Sequence, residues 1–380
     1  MMSELILTNA RVVTRTEVFD GTVVVRDGTI TAVDTGRSAL PGALDLDGDL
    51  LIPGLIEMHT DNMEKHFEPR PGVLWPNGVA AVCAHDTQII GAAITTVYDA
   101  VAVGEYDAKG QRRHILADCI SALTHAQDAG MLRADHLLHM RCEVSDPCVV
   151  EMFEPFSANP LVRLVSVMDH TPGQRQWSDV SKFVQYHKGE NWGQDKLDAI
   201  LKDRLEDQAR YATRHRREIV ALSRARGLAL ASHDDATEAH IQESLDDGCV
   251  IAEFPITVTA AALARQHGLG TIMGGPNVVR GGSHSGNVSA IELARQGLLT
   301  GLSSDYVPYS LLQAVFHLEA ETDMTLPQAV ACVTANIADM VGLTDRGEIT
   351  PGKRADLARV RPADGAPLVR DVWREGRRVY

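Results

Sequence analysis

Short apolar segments alternate with helical stretches through the middle of the chain. Eight segments have the length and composition of buried strands, and most are separated by stretches with helical periodicity. These segments are LIPGLIEMH, ITTVYDA, LLHMRCEV, VRLVSVMDH, ALASH, VIAEF, GTIMGG and LLTGLSSD. Repeated strands and helices predict a parallel (β/α)8 barrel, although a doubly wound sheet produces a similar local pattern. We therefore expect an α/β protein with a TIM-like barrel.

The two ends of the chain have a different pattern. Near the start, apolar and polar positions alternate in LILTNARVV and GTVVVRD, with turn signals at Asp20-Gly21, Asp27-Gly28 and Asp47-Gly48. Near the end, ADLARV and DVWREGRRVY alternate in the same way. We expect residues 1–52 and 345–380 to form one small β-sandwich, and residues 53–344 to form the barrel.

Composition narrows the possible partners and the compartment. The 380 residues are 44% hydrophobic and carry a formal net charge of -15, which disfavours binding to nucleic acid or to an anionic membrane surface. The start of the chain lacks the features of a signal peptide, and the six cysteines form no CxxC pair. These features predict a cytoplasmic protein without a thiolate metal cluster or disulfide framework. A homo-oligomer is compatible with the apolar content.

Metal-ligand side chains stand at the ends of several predicted strands. His59 and Asp61 are two residues apart, so in extended structure their side chains project from the same face. The predicted ligands are His59, Asp61, Glu143, His170, His233 and Asp305. Mixed imidazole and carboxylate groups suit one or two divalent ions, with Zn favoured and Mn as the alternative. Asp305 is expected to act as the general base that accepts a proton from the attacking water.

Two further segments predict anion binding. The loop GGPNVVRGGSHSGN follows the seventh predicted strand, and its candidate phosphate contacts are Arg280, Ser283, His284, Ser285 and Asn287. A flexible turn would explain the same glycines. The segment after His59 supplies Lys65, His66 and Arg70, which either contact the substrate or form a solvated charged face.

A long connection and two acidic residues leave alternatives open. Residues 171–227 lie between the fourth and fifth predicted strands, and this connection forms either a lid or an extra pair of surface helices. Asp234 and Asp235 follow His233, where they could orient ligands or cap the next helix. We assign them no role from sequence.

The segments DGDLLIPGLIEMHTDN and GEITPGKRADLARV resemble the amidohydrolase superfamily, and the likeness spans essentially the whole chain. The resemblance implies a metal-binding barrel with a β-sandwich built from both termini. It also implies metal ligands at His59, Asp61, His233 and Asp305. The carbamylated lysine of the superfamily has no counterpart here, so Glu143 or His170 is expected to serve if two metals bind. Glu253 stands where many relatives have histidine.

Longer segments are similar to a narrower family, the diphosphatases of the bacterial carbon–phosphorus lyase pathway. They are HTDNMEKHFEPRPGVLWP, AHDTQIIGAAITTVYDA, MDHTPGQRQ, EFPIT and MGGPNVVRGGSHSGNVSA. This resemblance implies hydrolysis of α-D-ribose 1-methylphosphonate 5-triphosphate to the 5-phosphate and diphosphate, and it implies the other pathway enzymes as functional partners. The alternatives are a cyclic-amide hydrolase or deaminase of the same superfamily, and a non-catalytic barrel that acts as an interaction protein.

Overall fold

The structure is a computed structural model that describes residues 4–104, 111–177, 180, 183, 193–283, 286–363 and 366–380. In chain order, the strands of this part are β1 (Glu4–Val13), β2 (Val18–Arg26), β3 (Thr29–Thr35), β4 (Leu44–Asp45), β5 (Leu50–Pro53), β6 (Leu55–Thr60), β7 (Ile94–Val103), β8 (Asp135–Glu143), β9 (Val162–Met168), β10 (Ala229–His233), β11 (Ile251–Glu253), β12 (Gly270–Gly274), β13 (Gly301–Ser303), β14 (Leu357–Ala363), β15 (Ala366–Arg374) and β16 (Arg377–Arg378).

Helices separate most of the strands in the middle of the chain. In the same part, the α-helices are α1 (Asn62–Phe67), α2 (Gly78–Gly91), α3 (Gln111–Asp128), α4 (Val149–Phe153), α5 (Gln194–Ala225), α6 (Glu238–Asp246), α7 (Val258–Gln266), α8 (Gly275–Val279), α9 (Ala290–Arg295), α10 (Ser310–Glu321), α11 (Leu326–Ala331) and α12 (Ala335–Val341).

The barrel consists of eight parallel strands in sequential order from β6 to β13. Its two end strands meet through an isolated parallel bridge between Thr60 and Asp305. The Asp305 N–H also donates to the His59 carbonyl at 3.0 Å. These contacts nearly close the cylinder, which confirms the predicted barrel and excludes the doubly wound sheet.

Apolar side chains fill the barrel interior on the side where the strands begin. Ile56, Leu164, Ile251 and Ile272 are fully buried there, and Ile337 of α12 packs into the same cluster. Two larger apolar clusters lie between the barrel wall and the surrounding helices. Because this end of the interior is filled by hydrocarbon, the polar side chains collect at the carboxyl ends of the strands.

Both termini contribute to a separate, mostly antiparallel sheet, as expected. Its strand order is β16-β15-β14-β5-β1-β2-β3, and β4 pairs with β1. Its β3 edge contacts the segment that precedes β14, since the Ile30 N–H donates to the Lys353 carbonyl at 2.8 Å. The predicted turn at Asp20-Gly21 is wrong, because both residues lie inside β2. Asp27-Gly28 and Asp47-Gly48 do form turns, with all four residues at positive φ.

The predicted strand LIPGLIEMH is two strands that belong to different sheets. β5 ends at Pro53 and pairs with β1 and β14, whereas β6 begins at Leu55 in the barrel. A Cβ on the intervening Gly54 would lie 2.3 Å from the Thr95 hydroxyl oxygen. Glycine therefore allows the chain to pass from the outer sheet into the barrel at a very close approach to β7.

One carboxylate joins the barrel to the terminal segments. Asp135, at the start of β8, accepts from Arg346 and forms an ion pair with Arg354, each at 2.6 Å. Arg374 lies 3.3 Å from its other oxygen. Three guanidinium groups from the last part of the chain thus converge on the side of the barrel opposite the carboxyl ends of the strands.

The long connection after β9 contains the 32-residue helix α5. Trp177, Phe183 and Leu197 form a small buried cluster near its beginning. Residues 178–179, 181–182 and 184–192 lie outside the described residues, and the lid remains a prediction. No helix in the ranges given above is long and apolar enough to cross a membrane.

Candidate metal centre and active site

Polar side chains from several barrel strands meet at the carboxyl end of the cylinder. His59 is near the end of β6, His233 ends β10, and Glu253 ends β11. Asp61 comes directly after β6, and Asp305 is the second residue after β13. His59, His233 and Glu253 are at most 5% exposed. The barrel topology thus brings together residues that are far apart in the sequence, such as His59 and Asp305, which are 246 positions apart.

Glu253 lies between the two histidines. Its Oε1 is 3.0 Å from His59 Nδ1, and its Oε2 is 3.3 Å from His233 Nδ1. Burial opposes ionisation of Glu253, but His139 and His59 outweigh burial and hold its pKa well below the usual value. A carboxylate can only accept, so both Nδ1 atoms carry protons, and in the neutral form of each histidine the Nε2 atom has a lone pair for a metal. This arrangement is typical of metal-binding histidines oriented by a carboxylate.

Asp61 and Asp305 form a second part of the site. The Asp61 N–H donates to the Asp305 carbonyl at 3.1 Å, so the two residues are held side by side. Burial, together with the Asp61 carboxylate, raises the pKa of Asp305 to about 6. Asp61 Oδ1 is buried without a hydrogen-bond partner among the described residues. A buried, unpartnered carboxylate oxygen beside a second carboxylate fits coordination of a cation.

A third group contains His170, Glu143 and Asp234. His170 Nδ1 is 2.7 Å from Glu143 Oε2, and its backbone N–H donates to Glu143 Oε1 at 3.0 Å. Ser145 donates to the same Oε1 at 2.7 Å. Asp234 Oδ2 lies 3.5 Å from the Nε2 atoms of both His170 and His233. Glu143 therefore orients His170 in this structure, and Asp234 joins the set of possible ligands.

An unusual backbone conformation helps to orient the side chains that follow three of the barrel strands. Asp234, Phe254 and Asp305 each follow a barrel strand and have φ values of 55°, 52° and 55°. The left-handed conformation is unfavourable for residues other than glycine, and such strain concentrates at functional sites. The Phe254 ring packs edge-on against His59 and His233, with centroid distances of 5.1 and 5.2 Å. It restricts both imidazoles to their observed orientations.

The donor set fits a divalent metal ion. His59, His139 and Glu253 place potential ligand atoms within 4.8 Å of one another, and so do His170, His233 and Asp234. Imidazole and carboxylate groups in a buried lumen are ligands for zinc, manganese and similar ions. The assignment of individual ligands among His59, Asp61, Glu143, His170, His233 and Asp305 stays a prediction.

The three predicted substrate-binding residues in and just after α1 point in different directions. Lys65 donates to the Tyr306 carbonyl at 3.0 Å, and its Nζ lies 5.3 Å from the centroid of the Tyr306 ring. This places Lys65 beside the loop that carries Asp305. His66 instead approaches α2, with its Nε2 3.2 Å from Gln88 Oε1. Arg70 is exposed in a turn closed by a bridge to Val73.

The glycine-rich loop follows β12 at the same end of the barrel. Arg280 ends α8 and is exposed, and Ser283 and Asn287 are half-buried. Gly281 and Gly286 have φ values of 75° and 70°, which other residues rarely adopt. His284 and Ser285 lie outside the described residues. Phosphate binding by this loop stays a prediction.

The sequence analysis did not select Arg141. It lies in β8 two residues before Glu143, and its side chain is 17% exposed. Its Nη1 is 3.6 Å from Asp61 Oδ2. The available signal was strand alternation, because residues two apart on one strand project from the same face.

Comparisons with known proteins agree with this geometry. A family model described as "Amidohydrolase family" matches residues 252–380. Over 382 residues, the chain is 46% identical to α-D-ribose 1-methylphosphonate 5-triphosphate diphosphatase of Escherichia coli (strain K12), covering 99% of this chain and 100% of that protein. The chain belongs to the amidohydrolase family.

More distant proteins are also similar to this amidohydrolase in sequence or in structure. An imidazolonepropionase of Deinococcus deserti is 24% identical, with 96% of this chain and 93% of that protein covered. The crystal structure of N-isopropylammelide isopropylaminohydrolase from Burkholderia multivorans matches with a TM-score of 0.65 and 16% identity, covering 99% of this chain and 98% of that chain. Membership of the amidohydrolase family and the buried clusters of histidine and carboxylate together indicate the use of a divalent metal.

Proposed function

We propose that this amidohydrolase hydrolyses α-D-ribose 1-methylphosphonate 5-triphosphate to α-D-ribose 1-methylphosphonate 5-phosphate and diphosphate, as a step in phosphonate catabolism. The observation that carries the proposal is the 46% identity to the Escherichia coli diphosphatase over 99% of the chain. The imidazolonepropionase relative, at 24% identity, supports an amide substrate much less strongly.

The residues at the carboxyl end of the barrel are suited to holding the metal. Glu253 engages the Nδ1 atoms of His59 and His233, so the neutral histidines direct their Nε2 atoms to a metal. Asp61 and Asp305 add carboxylate oxygens. A divalent ion bound there supplies positive charge that offsets the charge developing on phosphoryl oxygens. Zinc suits this ligand set best, and manganese is the second choice.

Asp305 is the proposed general base. Its position is fixed from both sides, because its N–H donates to the His59 carbonyl and its carbonyl accepts from the Thr60 hydroxyl at 2.9 Å. Its backbone is hydrogen-bonded to that of Asp61, so its carboxylate lies among the candidate metal ligands, where it can accept a proton from water. In the proposed reaction, an Asp305 carboxylate oxygen accepts the proton of the attacking water.

The substrate is a polyanion, and the protein has a net charge of -15. Local cations must therefore offset the repulsive field at the barrel mouth. Lys65 beside Tyr306 and Arg280 at the end of α8 are the proposed contacts for the outer phosphates, and Arg70 and His66 are nearby candidates on the α1 side. Ser283, His284, Ser285 and Asn287 complete the proposed phosphate loop.

The biological setting follows from the same proposal. With a phosphorylated sugar phosphonate as substrate, we expect the protein to act in the cytoplasm with the other enzymes of the carbon–phosphorus lyase pathway. The proposed partners include neither nucleic acid nor membrane, and a homo-oligomer is compatible with the composition.

Phosphorus NMR of the metal-replete protein tests the reaction directly. The proposal predicts conversion of the ribose triphosphate to a 5-monophosphate and diphosphate, with ATP consumed far more slowly. A cyclic amide incubated in parallel should remain intact. Hydrolysis of the amide with no turnover of the triphosphate would reject the proposal in favour of an amide hydrolase.

A further inference from the structure

Arg141 projects into the barrel lumen beside the candidate metal centre. It lies on the same face of β8 as His139, whose ring packs edge-on against His59 at 4.9 Å. The neighbours Met140 and Cys142 pack on the opposite side of the strand, in the core between the barrel and its helices. Arg141 is therefore a lumen residue and does not belong to the outer core.

Several carboxylates lie around the Arg141 guanidinium, and one of them, Asp61, forms an ion pair with it. Burial opposes its charged form, but Asp61, Glu64 and Asp305 outweigh burial and raise its pKa. Within the described part of the chain, Arg141 forms an ion pair with Asp61, in which Nη1 lies 3.6 Å from Oδ2. Its Nε is buried and has no hydrogen-bond partner there. A guanidinium has five N–H donors, so Arg141 is held in position with donors unused.

Two buried arginines outside the lumen, Arg175 and Arg359, use their donors structurally. Arg175 donates to the His233 carbonyl at 3.0 Å, to Glu243 at 2.8 Å and to Asp235. Arg359 binds Asp49 at 2.6 Å together with two further aspartates. A buried donor without a partner is unfavourable, because it has lost its hydrogen bonds to water. An arginine with an unpartnered, buried Nε at the candidate metal centre therefore points to a bound ligand that supplies the hydrogen-bond acceptor.

We propose that Arg141 is a catalytic residue that binds the non-bridging oxygens of the phosphoryl group under attack. This inference rests on the proposed function and deepens it. The planar fork of a guanidinium matches two phosphoryl oxygens, and a desolvated lumen strengthens the contact. Lys65 and Arg280 lie at the rim, whereas Arg141 lies beside Asp61 and Asp305, where the chemistry takes place.

The proposed step transfers the phosphoryl group to water. The water oxygen forms a bond to the phosphorus nearest the ribose, one of the two water protons passes to Asp305, and the other stays on the new phosphate oxygen. The bond from that phosphorus to the bridging oxygen breaks, and the electron pair leaves with the diphosphate. Arg141 keeps all its protons and stabilises the negative charge on the non-bridging oxygens. Its contribution is greatest in the transition state, so it should act mainly on kcat.

Replacement of Arg141 by lysine and by alanine tests this assignment in the full-length, metal-replete protein. Arg141→Lys keeps the charge and removes the fork, and kcat for the ribose triphosphate should fall about 100-fold. Metal content and thermal midpoint should stay at wild-type values. Arg141→Ala should lose more activity and recover part of its kcat when guanidinium ion is added. Arg163→Lys, on the exposed face of β9, is the matched control and should leave kcat unchanged.

The outcomes separate the assignment from the proposed function. A wild-type protein that does not hydrolyse the triphosphate overturns both. An active wild type with Arg141→Lys within about threefold of its kcat overturns only the role of Arg141. Loss of metal in parallel with activity, without rescue by guanidinium, would make Arg141 a counter-ion of Asp61 and would also overturn the catalytic assignment.

Discussion

Glu253 on the sixth barrel strand contacts His59 on the first, with Oε1 3.0 Å from Nδ1 across the lumen. The second oxygen of the same carboxylate reaches His233 on the fifth strand at 3.3 Å. One buried acid therefore fixes the tautomer and direction of two candidate ligands. In this structure, Glu253 acts as an orienting partner at the position where many amidohydrolases have a histidine.

Replacing Glu253 with glutamine should weaken metal binding. The amide offers one acceptor oxygen, so the second histidine loses its partner, and loss of such an orienting group costs about 10- to 100-fold in metal affinity. Titration of zinc against a competing chelator measures the effect. Glu238→Gln, on the exposed start of α6, is the control with the same chemical change. Equal zinc affinity in all three proteins would refute the orienting role.

Asp305→Asn should abolish most turnover while leaving the fold intact. The substitution preserves size and removes the proton acceptor, and loss of a general base costs about 100- to 10,000-fold in rate. Steady-state kinetics with the ribose triphosphate checks the prediction, and metal analysis of the same sample separates loss of the base from loss of a ligand. Asp323→Asn, at an exposed site beyond α10, is the control. A rate close to wild type would contradict the assignment of Asp305.

A buried network behind the barrel wall should make stability depend on pH. Asp99 Oδ1 is 2.6 Å from His85 Nε2, and Asp99 Oδ2 is 2.7 Å from His136 Nδ1. Burial opposes charge on His136, but the carboxylates of Asp99 and Asp86 outweigh burial and raise its pKa to about 9. These groups lie between β7, β8 and α2, outside the lumen.

The sign of the pH effect follows from the raised pKa. The protonated His136 stabilises the folded state fully below its unfolded pKa of about 6.5, and this stabilisation is lost as the pH rises through about 9. The loss is of the order of 3 kcal/mol. Denaturant unfolding at pH 6 and pH 9.5 measures it. His136→Gln should be less stable at pH 6 and should lose much less stability between the two values. Parallel pH profiles for variant and wild type would count against this account.

Asp135→Asn should weaken the attachment of the terminal segments to the barrel. The change leaves Arg346, Arg354 and Arg374 converging on a neutral side chain, and about 2 kcal/mol of unfolding free energy should be lost. Chemical denaturation measures the loss, with Asp128→Asn at the exposed end of α3 as control. Because Asp135 lies far from the metal centre, kcat should not change, and a reduced kcat in the folded variant would show that the two regions are coupled.

Much of the fold follows from the sequence because strand and helix periods are local properties. The eight barrel strands coincide with the eight apolar segments, and the turns at Asp27-Gly28 and Asp47-Gly48 follow from residue types that tolerate positive φ. The division of LIPGLIEMH at Gly54 does not follow, because the reason is a contact with Thr95 on another strand. Asp20-Gly21 fails as a turn since strand pairing overrides the local preference.

From the sequence, only those active-site residues that lie at the ends of predicted strands could be identified. His59, His233 and Asp305 stand at visible boundaries, and the structure brings them together. Arg141 lies inside a strand, where a charged residue gives no indication of which side it faces until neighbouring strands are placed. Asp234 was visible next to His233, but its approach to His170 depends on a left-handed turn that sequence alone leaves open.

Reversible metal depletion tests the central claim most directly. The protein is stripped with a chelator, and phosphorus NMR follows the ribose triphosphate while zinc or manganese is added back in measured equivalents. The account predicts no hydrolysis by the stripped protein, then release of diphosphate and the 5-monophosphate in proportion to bound metal. Full hydrolysis without metal, or a metal-loaded protein that leaves the triphosphate intact, would contradict a metal-dependent diphosphatase at this site.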